Sequence, residues 1–187
     1  MSLSTYEQLR ACHVRRWHIV QTTREQTLAE HSFAVSVIAG SLAAKMRWNG
    51  LLHPDKKLML LQYALAHDLL EVRTGDMPTP FKKYLQMVGG LQIIDKANEL
   101  VDYEQSSVDR MVKGTEVEMF VKIADMVEAI FFLQDNGTGM HAESVLIELL
   151  GLLAALVDTY SKMYPHFEIL SAVRQVCNDI GIKGMIL

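Results

Sequence analysis

Apolar residues recur along this chain at the 3.6-residue period of an α-helix, and no stretch alternates convincingly as a strand. Leu28, Ala34, Val35, Ile38, Leu42 and Met46 fall on one stripe, and Thr27-Leu28-Ala29-Glu30 opens it with a Thr-x-x-Glu capping box. Pro54, tolerated in a first helical turn, starts a helix expected to run to about Val72; Gly75, Pro78 and Pro80 then force a loop. Further helices are expected over 92–110, 115–134, 141–163 and 166–180. Thr115-Glu116-Val117-Glu118 is a second capping box, Gly137 and Gly139 close its helix, and Pro165 separates the last two. The pattern predicts an all-α fold, a single domain over 1–187 with about seven helices.

Half of the 187 residues are hydrophobic, enough for a core of its own. The formal charge of -4 argues against polymeric nucleic acid as a partner but leaves room for a basic pocket around a small anion. Cys12 and Cys177 cannot build a disulfide framework, and the amino terminus lacks the basic-then-apolar pattern of a secretory signal. The longest apolar run, 145–157, is interrupted by Glu148 and is expected to fall short of a bilayer span. A cytoplasmic protein without a membrane partner is expected.

Ala64-Leu65-Ala66-His67-Asp68-Leu69-Leu70-Glu71 places a histidine, an aspartate and a glutamate in a helix that faces a core. Burying an unpaired carboxylate is costly, and a divalent cation resolves the cost because imidazole and carboxylate both ligate it. One His-Asp pair arises by chance in roughly a third of such chains, so the pair alone is weak evidence. Its surroundings strengthen it. His67 and Glu71 are four apart and expected on one helical face, with Asp68 on the flank. His31 follows Glu30 in the first turn of an apolar helix, and Asp125 sits within Val121-Lys122-Ile123-Ala124-Asp125-Met126-Val127. Three helices thus bring metal-ligand side chains to positions where Leu or Ala is the ordinary occupant; a purely structural polar cluster is the alternative.

Glu30-His31-Ser32, His67-Asp68, Glu71 with Thr74-Gly75-Asp76-Met77-Pro78-Thr79-Pro80, and Lys122-Ile123-Ala124-Asp125 together resemble the HD-domain metal phosphohydrolases. The likeness runs over about 13–135 and is strongest to the small enzymes related to bacterial 5'-deoxynucleotidase. It implies an HD-domain helical globule in which His31, His67, Asp68 and Asp125 hold one divalent metal. Zn²⁺ or Co²⁺ suits that set, with Mn²⁺ or Mg²⁺ also admissible. Glu71 is then the general base or the anchor of a second metal, against a solvated helix-end carboxylate. Asp76 binds the sugar hydroxyl or holds the water in line, against a plain turn residue.

The resemblance extends to Arg16-Trp17, with Arg16 on phosphate and Trp17 near the base; a surface ion pair and a core ring are the ordinary alternatives. Thr74 and Lys82 join the substrate contacts, Lys82 being favoured over Lys83 for a polyphosphate, and His18, Arg24 and Lys122 are reserve cations. His13, His53, His141 and His166 have no supporting neighbours.

Arg16-Trp17 is followed by His18-Ile19-Val20, not by the proline of the monophosphatases, and the block 15–31 looks more like short phage enzymes that hydrolyse dATP. That likeness implies release of deoxyadenosine and intact triphosphate, with Ile19 beside C2 of adenine excluding a 2-amino group by overlap. A 5'-deoxynucleotidase acting on deoxynucleoside monophosphates is the second reading, and a non-catalytic nucleotide-sensing domain the third. Relatives of this architecture self-associate, so a homo-oligomer is expected, in the host cytoplasm if phage-encoded. The apolar late helices (Leu146 to Leu156, Met163, Met185) and the tail 183–187 offer the surface for it.

Overall fold

The computed structural model describes residues 2–90 and 92–183, the side chains at 95, 101 and 103–106 excepted. In chain order the α-helices are α1 (Thr5–Leu9), α2 (Leu28–Lys45), α3 (Pro54–Ala66), α4 (Glu71–Thr74), α5 (Thr79–Gly89), α6 (Ile93–Val101), α7 (Tyr103–Val112), α8 (Glu116–Asn136), α9 (Gly139–Met163) and α10 (Ile169–Asp179). Among the described residues the only β-type pairings are two isolated bridges, Arg15 with Thr27 and Thr22 with Gly137. The all-α expectation holds.

The helices outnumber the expected seven for local reasons. The helix from Pro54 stops at Ala66, where Leu69, Glu71 and Val72 bond three residues back to Ala66, Asp68 and Leu69 before α4 ends at Gly75, φ +75°. His67 and Glu71 therefore do not share one continuous helical face. Pro80 opens α5 instead of prolonging the loop, because a first helical turn needs no N–H there. The expected helix 92–110 is split at Asp102, which turns to an extended φ of -151° and accepts the Leu3 N–H at 2.7 Å. That bond ties the amino-terminal segment with α1 onto α6.

α2 and α8 form the centre. They pack along each other, α3 lies against both, α9 runs along α8, and α10 touches α2 and α9. Val35, Leu42, Leu60, Phe120, Ile123, Ile130, Leu153 and Val173 are fully buried between them, each contributing about 1.5–3 kcal/mol relative to exposure. The capping box at Thr27 is complete: its hydroxyl accepts from Glu30 N–H, and Glu30 accepts from Thr27 N–H at 2.7 Å. At Thr115 only half of it forms, because the Glu118 carboxylate turns to the Gly114 N–H and the Lys122 ammonium.

α9 is, by length and composition, long and apolar enough to cross a membrane, and Glu148 does not interrupt it as expected. Ala142, Leu153, Val157 and Tyr160 are buried, whereas Met140, Ile147, Leu152 and Met163 are exposed. Met185 and the rest of the tail beyond Lys183 lie outside the described residues.

Candidate active site

Three helices converge on one point. His31 stands in the first turn of α2, fully buried; His67 caps α3; Asp125 lies midway along α8. His31 Nε2 is 3.2 Å from Asp125 Oδ1, 3.3 Å from His67 Nε2 and 3.7 Å from Asp68 Oδ2, which is 3.6 Å from His67 Nε2. Each ring commits its other nitrogen elsewhere: His31 Nδ1 donates to Glu128 Oε2 at 2.6 Å, and His67 Nδ1 to the Ala64 carbonyl at 2.8 Å. Two imidazole Nε2 atoms and two carboxylates thus crowd one spot, an arrangement whose donors suit a bound cation.

The electrostatics agree. Burial and the Arg16 guanidinium push His31 down, yet its hydrogen bonds with Asp125 and Glu128 lift it to about 9. The site draws positive charge strongly enough to hold a proton there. Burial pushes Asp68 up, but His67, Arg16 and His31 hold it well below the usual carboxylate range; Asp125, likewise opposed by burial, is held down chiefly by His31. The residues present fit a metal. Ligands ~2.1 Å from a divalent ion stand about 3.0–3.4 Å apart, close to the spacing of these atoms, and His31, His67 and Asp125 form the compact donor cluster among the described residues.

Arg16 Nη1 sits 3.1 Å from Asp68 Oδ2, and its Nε is buried without a partner. Glu71 is buried, with Oε1 accepting from Lys82 Nζ at 3.0 Å and Oε2 unpartnered. Burial and the Asp68 charge raise Glu71 to about 7, against the pull of Lys82. A carboxylate poised near neutrality is suited to take a proton from water.

A cavity of about 360 Å³ opens beside this centre, a size that accepts a small ligand. Arg16, Asp68, Asp76, Lys82 and Asp125 supply its polar wall; Trp17, Ile19, Met77, Pro78 and Val145 supply apolar wall. Trp17 adopts φ +65°, a left-handed conformation that costs a non-glycine residue about 1–2 kcal/mol. Its ring stacks on Phe132, centroids 5.9 Å apart and planes within 5°. Thr74 is the expected contact that the fold leaves aside: it is exposed, off the cavity wall, and its hydroxyl donates to the Gly75 carbonyl. Of the reserve cations, His18 lines the cavity, while Arg24 pairs with Glu30 and Lys122 with Glu118.

Sequence reasoning missed three positions. Glu128, three residues beyond Asp125 in an otherwise apolar stretch of α8, is 2 % exposed and orients His31; the Asp-x-x-Glu spacing was its signal. Gln26, in the loop before α2, donates to Glu128 and left no signal. His141, which has no supporting neighbours in the sequence, is exposed and belongs with Glu148 to the cavity wall contributed by α9.

The 5'-deoxynucleotidase YfbR-like family matches residues 6–133. The dATP triphosphohydrolase of Cyanophage S-2L is 37% identical over 145 residues, 75% of this chain and 75% of that protein. Its counterpart from Salmonella phage PMBT28 is 36% identical over 149 residues, 78% and 74% of the two chains. The 5'-deoxynucleotidase YfbR of Salmonella paratyphi B is 30% identical over 125 residues, 60% of this chain and 61% of that one. Among solved structures, Cyanophage S-2L HD phosphohydrolase (DatZ), bound to dA and one catalytic Zn²⁺ ion, aligns with a TM-score of 0.77 and 27% identity over 97% of this chain and 99% of its own. A metal-ligand cluster on three helices, a cavity beside it and a match across most of the chain agree: this protein belongs to the 5'-deoxynucleotidase YfbR-like family of HD phosphohydrolases.

Proposed function

We propose that this protein hydrolyses dATP to deoxyadenosine and intact triphosphate. The observation that carries the reading is the junction of the His31–His67–Asp125 cluster with a cavity walled by Trp17 and Ile19, in a chain most of which aligns with phage dATP triphosphohydrolases. His31, His67, Asp68 and Asp125 hold a Zn²⁺ or Co²⁺ ion, for which Mn²⁺ or Mg²⁺ can substitute. When bound, the ion supplies Lewis-acid polarisation of a phosphoryl oxygen and activation of water. Glu71 takes a proton from the attacking water and is the place for a second ion; Asp76 keeps that water in line or holds the sugar hydroxyl. A bond forms between the water oxygen and the α-phosphorus while the bond from that phosphorus to the 5'-oxygen breaks, and the departing oxygen takes up a proton from solvent, matching the one that Glu71 removed. Arg16 and Lys82 neutralise charge gathering on the phosphates.

Trp17 and Ile19 receive the adenine, with Thr74 at most indirectly involved through the loop that carries Asp76. Ile19→Ala is expected to let 2-amino-dATP compete, lowering discrimination about tenfold or more; unchanged discrimination in a competition assay removes Ile19 from base selection. Lys82→Met removes the cation that holds Glu71 down. The Glu71 pKa then rises, less of the base is ionised below neutrality, and the acidic limb of the rate profile moves to higher pH. An unmoved limb separates Lys82 from the base.

Hydrolysis of deoxynucleoside monophosphates is the second reading, favoured by the family match and by the YfbR relative; a sensing domain without turnover is the third. The protein is read as one domain over 1–187, cytoplasmic, without polymeric nucleic acid or membrane partners, and self-associating through exposed side chains such as Ile147 and Leu152 on α9. The test is depletion of an equimolar mixture of the four dNTPs and dAMP with Zn²⁺ or Co²⁺. The reading expects dATP to vanish first; loss of dAMP with dATP untouched selects the monophosphatase.

A further inference from the structure

Trp17 and His31 serve different ends of the site, yet one chain of hydrogen bonds joins them. Trp17 Nε1–H donates to Gln26 Oε1 at 2.8 Å, Gln26 Nε2–H donates to Glu128 Oε1 at 2.5 Å, and His31 Nδ1–H donates to Glu128 Oε2 at 2.6 Å. Gln26 and Glu128 are each 2 % exposed and His31 is fully buried, so water offers little substitute for a lost bond.

The chain can run in only one sense. An indole N–H only donates and a carboxylate only accepts, so the Gln26 amide must turn its oxygen to Trp17 and its nitrogen to Glu128. Flipping it breaks both bonds at once. The backbone reinforces the link: Gln26 O accepts from Arg16 N at 2.9 Å, fixing the strand of chain that carries Trp17 at φ +65°.

We propose that Gln26 is a positioning residue that couples binding of the nucleoside base at Trp17 to binding of the metal at His31. The inference rests on the metal and base placements above. An ion at His31 fixes that imidazole, Glu128 follows it, and the amide then holds the indole in the orientation that meets the base. Coupling is reciprocal: the factor by which metal tightens nucleoside binding equals the factor by which nucleoside tightens metal binding.

The chain has two tryptophans, so Trp48→Phe leaves Trp17 as the sole indole reporter. In that protein Zn²⁺ is titrated by calorimetry and by Trp17 emission, and deoxyadenosine affinity is measured with and without Zn²⁺. Zn²⁺ is a d¹⁰ ion without redox chemistry, so it does not quench the indole by electron transfer, and an emission change reports an altered environment of the Trp17 ring. The expected result is a change in emission tracking the calorimetric isotherm, with deoxyadenosine binding at least about 5-fold tighter in Zn²⁺. Gln26→Met is expected to keep Zn²⁺ binding while losing the emission change and bringing the enhancement close to one. Retention of both in Gln26→Met overturns the proposal. Trp17→Phe, which keeps a ring but removes the N–H, gives a second test: its deoxyadenosine affinity is expected not to depend on Zn²⁺, and an undiminished enhancement also overturns the proposal. Absence of Zn²⁺ binding with Gln26 intact is a different failure, that of the metal placement itself.

Discussion

Asp125→Ala is expected to abolish hydrolysis together with metal binding. Its carboxylate lies 3.2 Å from His31 Nε2 and supplies α8's donor to the cluster. Even the partners that merely orient metal ligands cost about 10–100-fold in affinity when removed, so a lost donor is expected to cost more than about 100-fold. Metal content after dialysis and turnover then fall together. The same loss is expected of His31→Ala, which in addition strips Glu128 of its imidazole partner. Metal removal gives a stability readout of this site. A ligand at ~100 times its Kd stabilises the folded state by about 2.7 kcal/mol, so a chelator is expected to lower the melting temperature of the parent protein and leave that of Asp125→Ala unchanged. A variant that loses turnover but keeps metal would move Asp125 out of the ligand set.

The second large effect separates chemistry from metal binding. Glu71→Gln keeps the shape of the side chain and leaves an amide oxygen for the Lys82 ammonium, which stands 3.0 Å from Glu71 Oε1. It removes the carboxylate whose other oxygen is buried without a partner. Turnover is expected to fall by about 10²–10⁴-fold, the range of a positioned general base, with metal content unchanged. Loss of metal with turnover would make Glu71 a ligand instead. The raised Glu71 pKa fits the role, since burial and the Asp68 charge hold it near 7.

How much of this could be read from the chain divides along physical lines. The register of α2 was legible because His31 continues the apolar stripe of Leu28 and Val35, and the Thr27–Glu30 box fixed its start. Asp125 was legible for a related reason, as a charge flanked by the buried Ile123, Ala124 and Val127 of α8. The break after Ala66 was not. Leu69 and Leu70 continue an apolar run, and it is the tightened turn and the His67–Ala64 bond that end the helix. The split at Asp102 was hidden too, because its partner Leu3 lies 99 positions away. Gln26 and Glu128 meet across 102 positions, and a neutral amide in a loop announces nothing until the fold closes around it. His141 and Glu148 reach the cavity only because α9 packs along α8, a placement that helical periodicity alone does not supply.

The bond that is cut decides the account most directly. Purified protein loaded with Zn²⁺ or Co²⁺ is incubated with dATP, and the products are separated by chromatography. The account predicts deoxyadenosine and intact triphosphate in equal amounts, which places attack at the α-phosphorus. Release of orthophosphate or diphosphate from dATP, or no reaction with dATP beside deoxyadenosine and phosphate from dAMP, would contradict it.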